Sequence, residues 1–280
     1  MAAPIAIAEA LRQGVSRLEE SRVPVPRLTA EVLLSHALAS EKSFLYAHPE
    51  YQLTGAEEQL WQAHIEARCA GKPTQYITGV QEFFGLEFRV TPDVLIPRPE
   101  TELLVEEALT RVAPGMRLLD VGAGSGCVAV AIAKHAPEVQ VFASDLSRAA
   151  LPVAAANSQR HGARVQFFQA DLLCAVVASS FDIVVSNPPY VPLAHLSGLQ
   201  RELRFEPALA LFGGENGLDV YGRLISAAAC VLRRGGWLFL ELGYNCRASV
   251  EGLLETGVWA APRIKTDLAG LDRVLAVCKL

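Results

Sequence analysis

The chain has 280 residues, 51% hydrophobic and 20% charged, with a formal net charge of −5 and a pI near 5.7. That length suits two domains, the apolar fraction supports a substantial core, and the composition excludes disordered, collagenous and coiled-coil classes. The acidic balance gives no global pull toward nucleic acid or an anionic membrane, and no apolar run approaches the ~18 residues that span a bilayer.

Cys69, Cys127, Cys174, Cys230, Cys246 and Cys278 are scattered, with no pair at two-residue spacing. That excludes a zinc-ribbon or CxxC redox pattern and fits reduced thiols. The opening Met1-Ala-Ala-Pro-Ile-Ala lacks a basic signal-peptide region, and Glu9, Glu19 and Glu20 are foreign to a transit peptide. The expected compartment is the cytoplasm.

The first segment reads as helices. Ile5, Ile7, Leu11, Val15 and Leu18 recur at helical spacing, as do Val32, Leu33, Leu34, Ala37 and Leu38 after Pro26. Thr54 followed by Glu57 predicts a capping box opening a third helix, which Gly71 and Pro73 close. Residues 1–73 are therefore expected to be a small helical domain. In 74–100, Phe83, Phe84, Leu86, Phe88 and Val90 around Gly85 predict a β-hairpin serving as a linker, and Pro99 stands near the start of the next helix.

Strand and helix alternate over 101–280: strands at 117–121, 139–144, 164–169, 181–186 and 236–242, with helices at 126–135, about 147–160 and 218–232 between them. That rhythm predicts an α/β, Rossmann-like parallel sheet. Strand-like residues around Ile264 and over Arg273–Cys278, turned at Gly270, predict a closing antiparallel hairpin.

Four places carry chemistry. Asp120-Val-Gly122-Ala123-Gly124-Ser125-Gly126 lies between a strand and a helix, where glycines turn the chain and let a ligand approach the backbone. It lacks the final glycine of the dinucleotide fingerprint and the Gly-Lys-Ser/Thr of a phosphate loop. Asp145, ending the next strand, can accept from two ribose hydroxyls. Asp171 can take the exocyclic amine of an adenine, with Leu172 against the ring. At the end of the fourth strand, Asn187-Pro188-Pro189-Tyr190 follows Ser186. The prolines remove two N–H donors, so the Pro188 carbonyl and the Asn187 carboxamide can both accept from a planar –NH2 group, with the Tyr190 ring against it. Glu241-Leu-Gly243 is left outside the site.

These motifs resemble those of methyltransferases that act on amino nitrogens, and more specifically of the release-factor glutamine methyltransferases (the HemK/PrmC family). The resemblance extends through Leu95-Ile-Pro-Arg-Pro-Glu-Thr-Glu102, Glu206–Gly214, Asn216–Asp219 and Asp267–Arg273. It implies a seven-stranded methyltransferase sheet behind a helical substrate-docking domain. The implied cofactor is S-adenosyl-L-methionine, with S-adenosyl-L-homocysteine as product, held by Gly122, Ala123, Gly124, Ser125, Gly126, Asp145, Asp171, Leu172 and Asn187. The implied substrate is the Gly-Gly-Gln glutamine of class I peptide chain release factors, methylated at its amide nitrogen. Asn187, Pro188, Pro189 and Tyr190 would bind that amide, with Asn187, Pro188 and Tyr190 carrying the chemistry. Many members have an aromatic residue where Leu172 stands and a Gln where Cys246 stands.

Arg98, Glu100 and Glu102 have two readings: positioning the methionine end of the cofactor or bridging domains. The alternative activities are methylation of a DNA or RNA amine and of a ribosomal-protein glutamine. The first would demand a basic groove, which 25 basic against 30 acidic residues do not provide. No membrane partner or direct nucleic-acid contact is expected.

Overall fold

A computed structural model describes residues 5–198 and 200–280. Residues 1–4, which carry part of the argument on targeting, lie outside the described residues. The chain divides into two compact units, one running to Gly79 and including Gln200–Phe205, the other comprising Val80–Leu199 and Glu206–Leu280.

The first unit is built from α1 (Ile7–Glu20), α2 (Pro26–Ala37), α3 (Lys42–Ala47), α4 (Gly55–Cys69) and α5 (Thr74–Thr78). The capping box is present: Thr54 Oγ1 accepts from Glu57 N–H at 3.3 Å, and Thr54 N–H donates to the Glu57 carboxylate at 2.7 Å. Ile7, Leu18, Leu33, Leu34, Trp61 and Ile65 form its core. Gly14 is required where Trp61 crosses α1, because a Cβ there would stand 2.4 Å from the indole ring. The unit extends past the boundary at 73 expected from sequence. The reason is α5, which packs on α2 and α4 and buries Tyr76. Gln200–Phe205 joins the unit through Arg68, whose Nη2 lies 2.6 Å from Glu202, and through Arg201, which donates to the Cys69 carbonyl at 3.0 Å.

The second unit opens with the expected hairpin, β1 (Val80–Phe83) and β2 (Leu86–Arg89), turned at Phe84 and Gly85 in left-handed conformation. It is more than a linker, since Phe83 and Phe88 are wholly buried in the core of the unit. There follow α6 (Glu102–Leu109), β3 (Arg117–Val121), α7 (Cys127–His135), β4 (Gln140–Asp145), α8 (Ala150–Arg160), β5 (Val165–Gln169) and β6 (Phe181–Ser186). The chain closes with α9 (Ala208–Leu211), α10 (Asp219–Val231), β7 (Leu232–Glu241), α11 (Arg247–Glu251), β8 (Arg263–Thr266) and β9 (Asp272–Cys278). Strand β7 starts four residues before the expected Gly236, because Leu232 already pairs with Phe181.

The seven-stranded sheet has the order β5-β4-β3-β6-β7-β9-β8, parallel except for β9, which runs antiparallel to both neighbours. Strand alternation divides the core. Leu118, Ile183 and Val185 face α6, α7 and the hairpin, whereas Leu119, Val184 and Leu238 face α10. After β3 the chain moves outward through β4 and β5 and returns on the other side as β6. That reversal opens a crevice at the C-terminal strand ends, the place where such sheets bind ligands.

Candidate functional site

The crevice is a cleft whose floor includes Gly122, Gly124, Asp145 and Asn187, contributed by the ends of β3, β4 and β6. Gly122 and Gly124 have φ of +82° and +53°, and a Cβ at either would meet nothing within 4 Å. The glycines are needed for backbone conformation, and open space lies above them for a ligand to approach. The loop is held from below. Gly122 and Ala123 N–H both donate to the Ser144 carbonyl at 2.9 Å. Buried Asn157 of α8 donates to the Ser125 carbonyl at 2.8 Å while its oxygen accepts from Arg89 N–H at 2.8 Å, fastening the end of β2 to the loop. Buried Asp120 accepts from Ala129 N–H in the first turn of α7 at 3.2 Å, and burial pushes its carboxyl up to about 7.

Each Asp145 oxygen accepts one backbone N–H: Oδ2 from Gly124 and Oδ1 from Ser147, both at 2.8 Å. The carboxylate is thereby fixed, with a further lone pair on each oxygen for two hydroxyls. Leu146 and Leu172 flank it in the cleft, an apolar slot suited to a flat ring. Asp171 also lines the cleft, but its Oδ2 is engaged by Arg223 at 2.6 Å, leaving Oδ1 for a ligand amine. Three aspartates, Asp93, Asp145 and Asp171, outnumber the one arginine there, an electrostatic setting that suits a cation. These features fit an adenosyl sulfonium.

The Asn187 side chain is oriented by a residue that the sequence analysis passed over. Its Nδ2 donates to Thr101 Oγ1 at 3.1 Å, which leaves Oδ1 as the free end of the carboxamide. Thr101 also stands by the Glu241 carboxyl, whose charged form it favours. Glu241, at the end of β7, is 2% exposed. Burial pushes its carboxyl up to about 7, against the opposing influence of Thr101. The Tyr190 hydroxyl is pushed up to about 12, chiefly by burial and then by Glu241, so it is neutral and no base.

The motifs at 206–219 form the adjoining wall. Val191 N–H donates to the Leu211 carbonyl at 2.9 Å and Gly213 N–H to the Val191 carbonyl at 3.0 Å. Gly217 is needed because a Cβ there would meet the Tyr190 carbonyl at 2.3 Å. Arg98 pairs with buried Glu206, and Glu102 accepts from Phe84 N–H at 2.7 Å. Both contacts lie inside the second unit, so neither is the bridge between domains raised from sequence.

Of the site residues expected from sequence, Gly122, Gly124, Asp145, Asp171, Leu172, Asn187 and Pro189 line the one cleft. Ala123 and Ser125 are buried beneath it, Gly126 abuts Ala154 of α8, and Pro188 and Tyr190 stand behind Asn187 and Pro189 in the chain without lining it. Thr101, Asn157 and Glu241 were missed; the signal for Glu241 was its position at a strand end two residues before Gly243. Among the described residues no group of His, Cys, Asp and Glu could hold a metal ion, and no helix is long and apolar enough to cross a membrane.

Residues 9–79 match the family model described as the PrmC N-terminal domain, and 99–199 match the methyltransferase small domain. The release factor glutamine methyltransferase of Koribacter versatilis is 42% identical over 271 residues, covering 95% of this chain and 96% of its own. Those of Geobacter sulfurreducens and Moorella thermoacetica are 43% and 44% identical, covering 92% and 95% of this chain and 91% and 95% of theirs. Among solved structures, a methyltransferase from Pyrococcus furiosus superposes with a TM-score of 0.54 at 19% identity, covering 78% of this chain and 97% of its own. A 16S rRNA methyltransferase from T. thermophilus, in complex with AdoMet and guanosine, gives 0.52 at 24%, covering 72% and 50%. These two share the fold.

Proposed function

Because the chain belongs to the release factor glutamine methyltransferase family, we propose that it methylates the side-chain amide nitrogen of the glutamine in the Gly-Gly-Gln motif of class I peptide chain release factors. The observation that carries this reading is the Asn187 carboxamide, whose NH2 end is taken by Thr101, so that its oxygen is free to accept from an incoming amide. Cytoplasmic residence accords with such a substrate.

S-Adenosylmethionine, when bound, supplies a methyl group already activated on a sulfonium, and S-adenosylhomocysteine is its product. The chain's part is alignment and electrostatics. Asp145 would take the ribose hydroxyls, the backbone at Gly122 and Gly124 would lie under the amino-acid end, and Asp171 with Leu172 would take the base. A glutamine amide is a poor nucleophile because its lone pair is delocalised into the carbonyl. Asn187 Oδ1 and the Pro188 carbonyl would accept its two protons and orient the lone pair for attack. Pro188 stands beyond the last paired residue of β6, Ser186 opposite Leu240, so the sheet ladder makes no claim on its carbonyl.

The helical unit serves as the docking domain for the protein substrate on this reading. It has its own core, while every cleft residue lies in the other unit. The test of the activity is transfer of labelled methyl to purified release factor, to the same factor with its Gly-Gly-Gln glutamine replaced, and to DNA. Label is expected on the first alone; label on the second or third overturns the assignment.

A further inference from the structure

The buried face of α8 reads Ala150, Val153, Ala154 and then Asn157, a polar residue where the helical period calls for an apolar one. Asn157 is 1% exposed. Asparagine is a poor helix former, and a buried carboxamide costs free energy unless its hydrogen bonds are made. Here both donors are used. Nδ2 donates to the Ser125 carbonyl at 2.8 Å and to the Arg89 carbonyl at 3.0 Å, while Oδ1 accepts from Arg89 N–H at 2.8 Å.

The partners belong to two different walls of the cleft. Arg89 ends β2 in a two-stranded sheet, and its N–H and C=O both turn to Asn157, so the side chain stands where the backbone of a third strand would. A few residues on, Asp93, Val94 and Leu95 line the cleft. Ser125 lies in the ligand loop between Gly124, whose N–H donates to Asp145 at 2.8 Å, and Gly126, where a Cβ would meet the Ala154 Cβ at 3.1 Å. The loop is therefore seated on α8 within a turn of Asn157. One carboxamide holds both the loop and the strand end that leads to the opposite wall.

We propose that Asn157 is a positioning residue for S-adenosylmethionine: it fixes the spacing between the 122–126 loop and the 93–95 wall, and so the width of the cleft that the cofactor enters. The inference rests on the cofactor reading given above. Asn157 does not itself line the cleft, so it acts only through the backbone groups it holds. The site requires two donors and one acceptor at a single place. Aspartate keeps an acceptor for Arg89 N–H but brings a carboxylate against two carbonyl oxygens. Leucine fills the same space and leaves three buried backbone groups without their partner.

The test compares wild type with Asn157→Asp, Asn157→Leu and Ser158→Ala by calorimetric binding of S-adenosylhomocysteine and steady-state methylation of release factor. Both Asn157 variants should weaken product affinity by about 10–100-fold, by analogy with residues that orient metal ligands. They should raise KM for S-adenosylmethionine, while kcat at saturating cofactor changes far less. Ser158→Ala is the control for stability. Its hydroxyl donates to the Ala163 carbonyl at 2.8 Å, beyond the C-terminus of α8, so its loss should lower the urea midpoint and leave affinity unchanged. Wild-type affinity in either Asn157 variant overturns the proposal, and so does an equal loss in Ser158→Ala. Hydrogen exchange on the wild type decides the matter even where a variant fails to fold, as judged by circular dichroism. S-Adenosylhomocysteine should slow exchange of the Arg89 amide, which lies outside the cleft, together with that of the 122–126 loop; protection of the loop alone overturns the proposal. If wild type binds no S-adenosylhomocysteine, the cofactor reading fails instead, a result distinct from either.

Discussion

Arg98 and Glu206 are joined across more than a hundred residues of chain, with Arg98 Nη2 lying 2.5 Å from Glu206 Oε1. The second oxygen of Glu206 accepts from Ile96 N–H at 3.2 Å. One carboxylate, with its side chain 2% exposed, thus ties the segment entering α6 to the segment entering α9. Both segments flank the cleft, which Leu95 lines from one side and Pro207 from the other. Arg98→Ala would leave Glu206 charged, buried and without its cation. Breaking such a pair costs about 3–5 kcal/mol, and the partial exposure of Arg98 places the expected loss at the lower end. Urea unfolding should show it as a lower midpoint, and an unchanged midpoint would mean that Glu206 is held by the backbone alone.

Asp145→Ala should weaken binding of S-adenosylhomocysteine by about ten- to a hundredfold, since a charged acceptor of two hydroxyls is worth about 1.5–3 kcal/mol. The same change strips the partner from Gly124 and Ser147 N–H. Asp145→Asn keeps an oxygen for one of those amides and should recover part of the affinity. Calorimetry on the two variants checks both statements.

Asn187→Ala should slow turnover by about 10²–10³, by analogy with the loss of one preorganised polar contact to a reacting group. Cofactor affinity should change far less. Asn187→Asp keeps acceptors but brings a second negative charge close to Glu241, so it should bind cofactor and turn over slowly. Single-turnover kinetics with saturating cofactor separate these effects.

Glu241 carries a stability prediction of definite sign. Burial holds its folded pKa at about 7, above the ordinary glutamate value of 4.5. Between those two values the unfolded chain has released the proton while the folded chain retains it, so stability falls as pH rises across that window. Glu241→Gln removes the penalty and should be more stable than wild type above pH 7, by an amount on the order of 3 kcal/mol at most. Unfolding midpoints at pH 5 and pH 8 test it: the gap between variant and wild type should widen at the higher pH.

Local chemistry in the sequence was enough to place the elements. Hydrophobic periods of 3.6 and 2, the Thr54–Glu57 cap and the glycines at 122 and 124 each act within a few neighbouring residues, so the longer helices, the sheet strands, the ligand loop and the closing hairpin were legible, whereas the short helices α3, α5, α9 and α11 were not. So was Asn187-Pro-Pro-Tyr190, because two prolines forbid a regular ladder wherever they stand. The orientation of Asn187 was not legible. It depends on Thr101, 86 positions earlier. The helical unit was likewise recognised from its periodicity, but not that Gln200–Phe205 would join it, since Arg68 and Glu202 meet 134 positions apart. Side-chain partners of this kind follow from strand order and packing, which no window of sequence contains; the tertiary structure alone decided them.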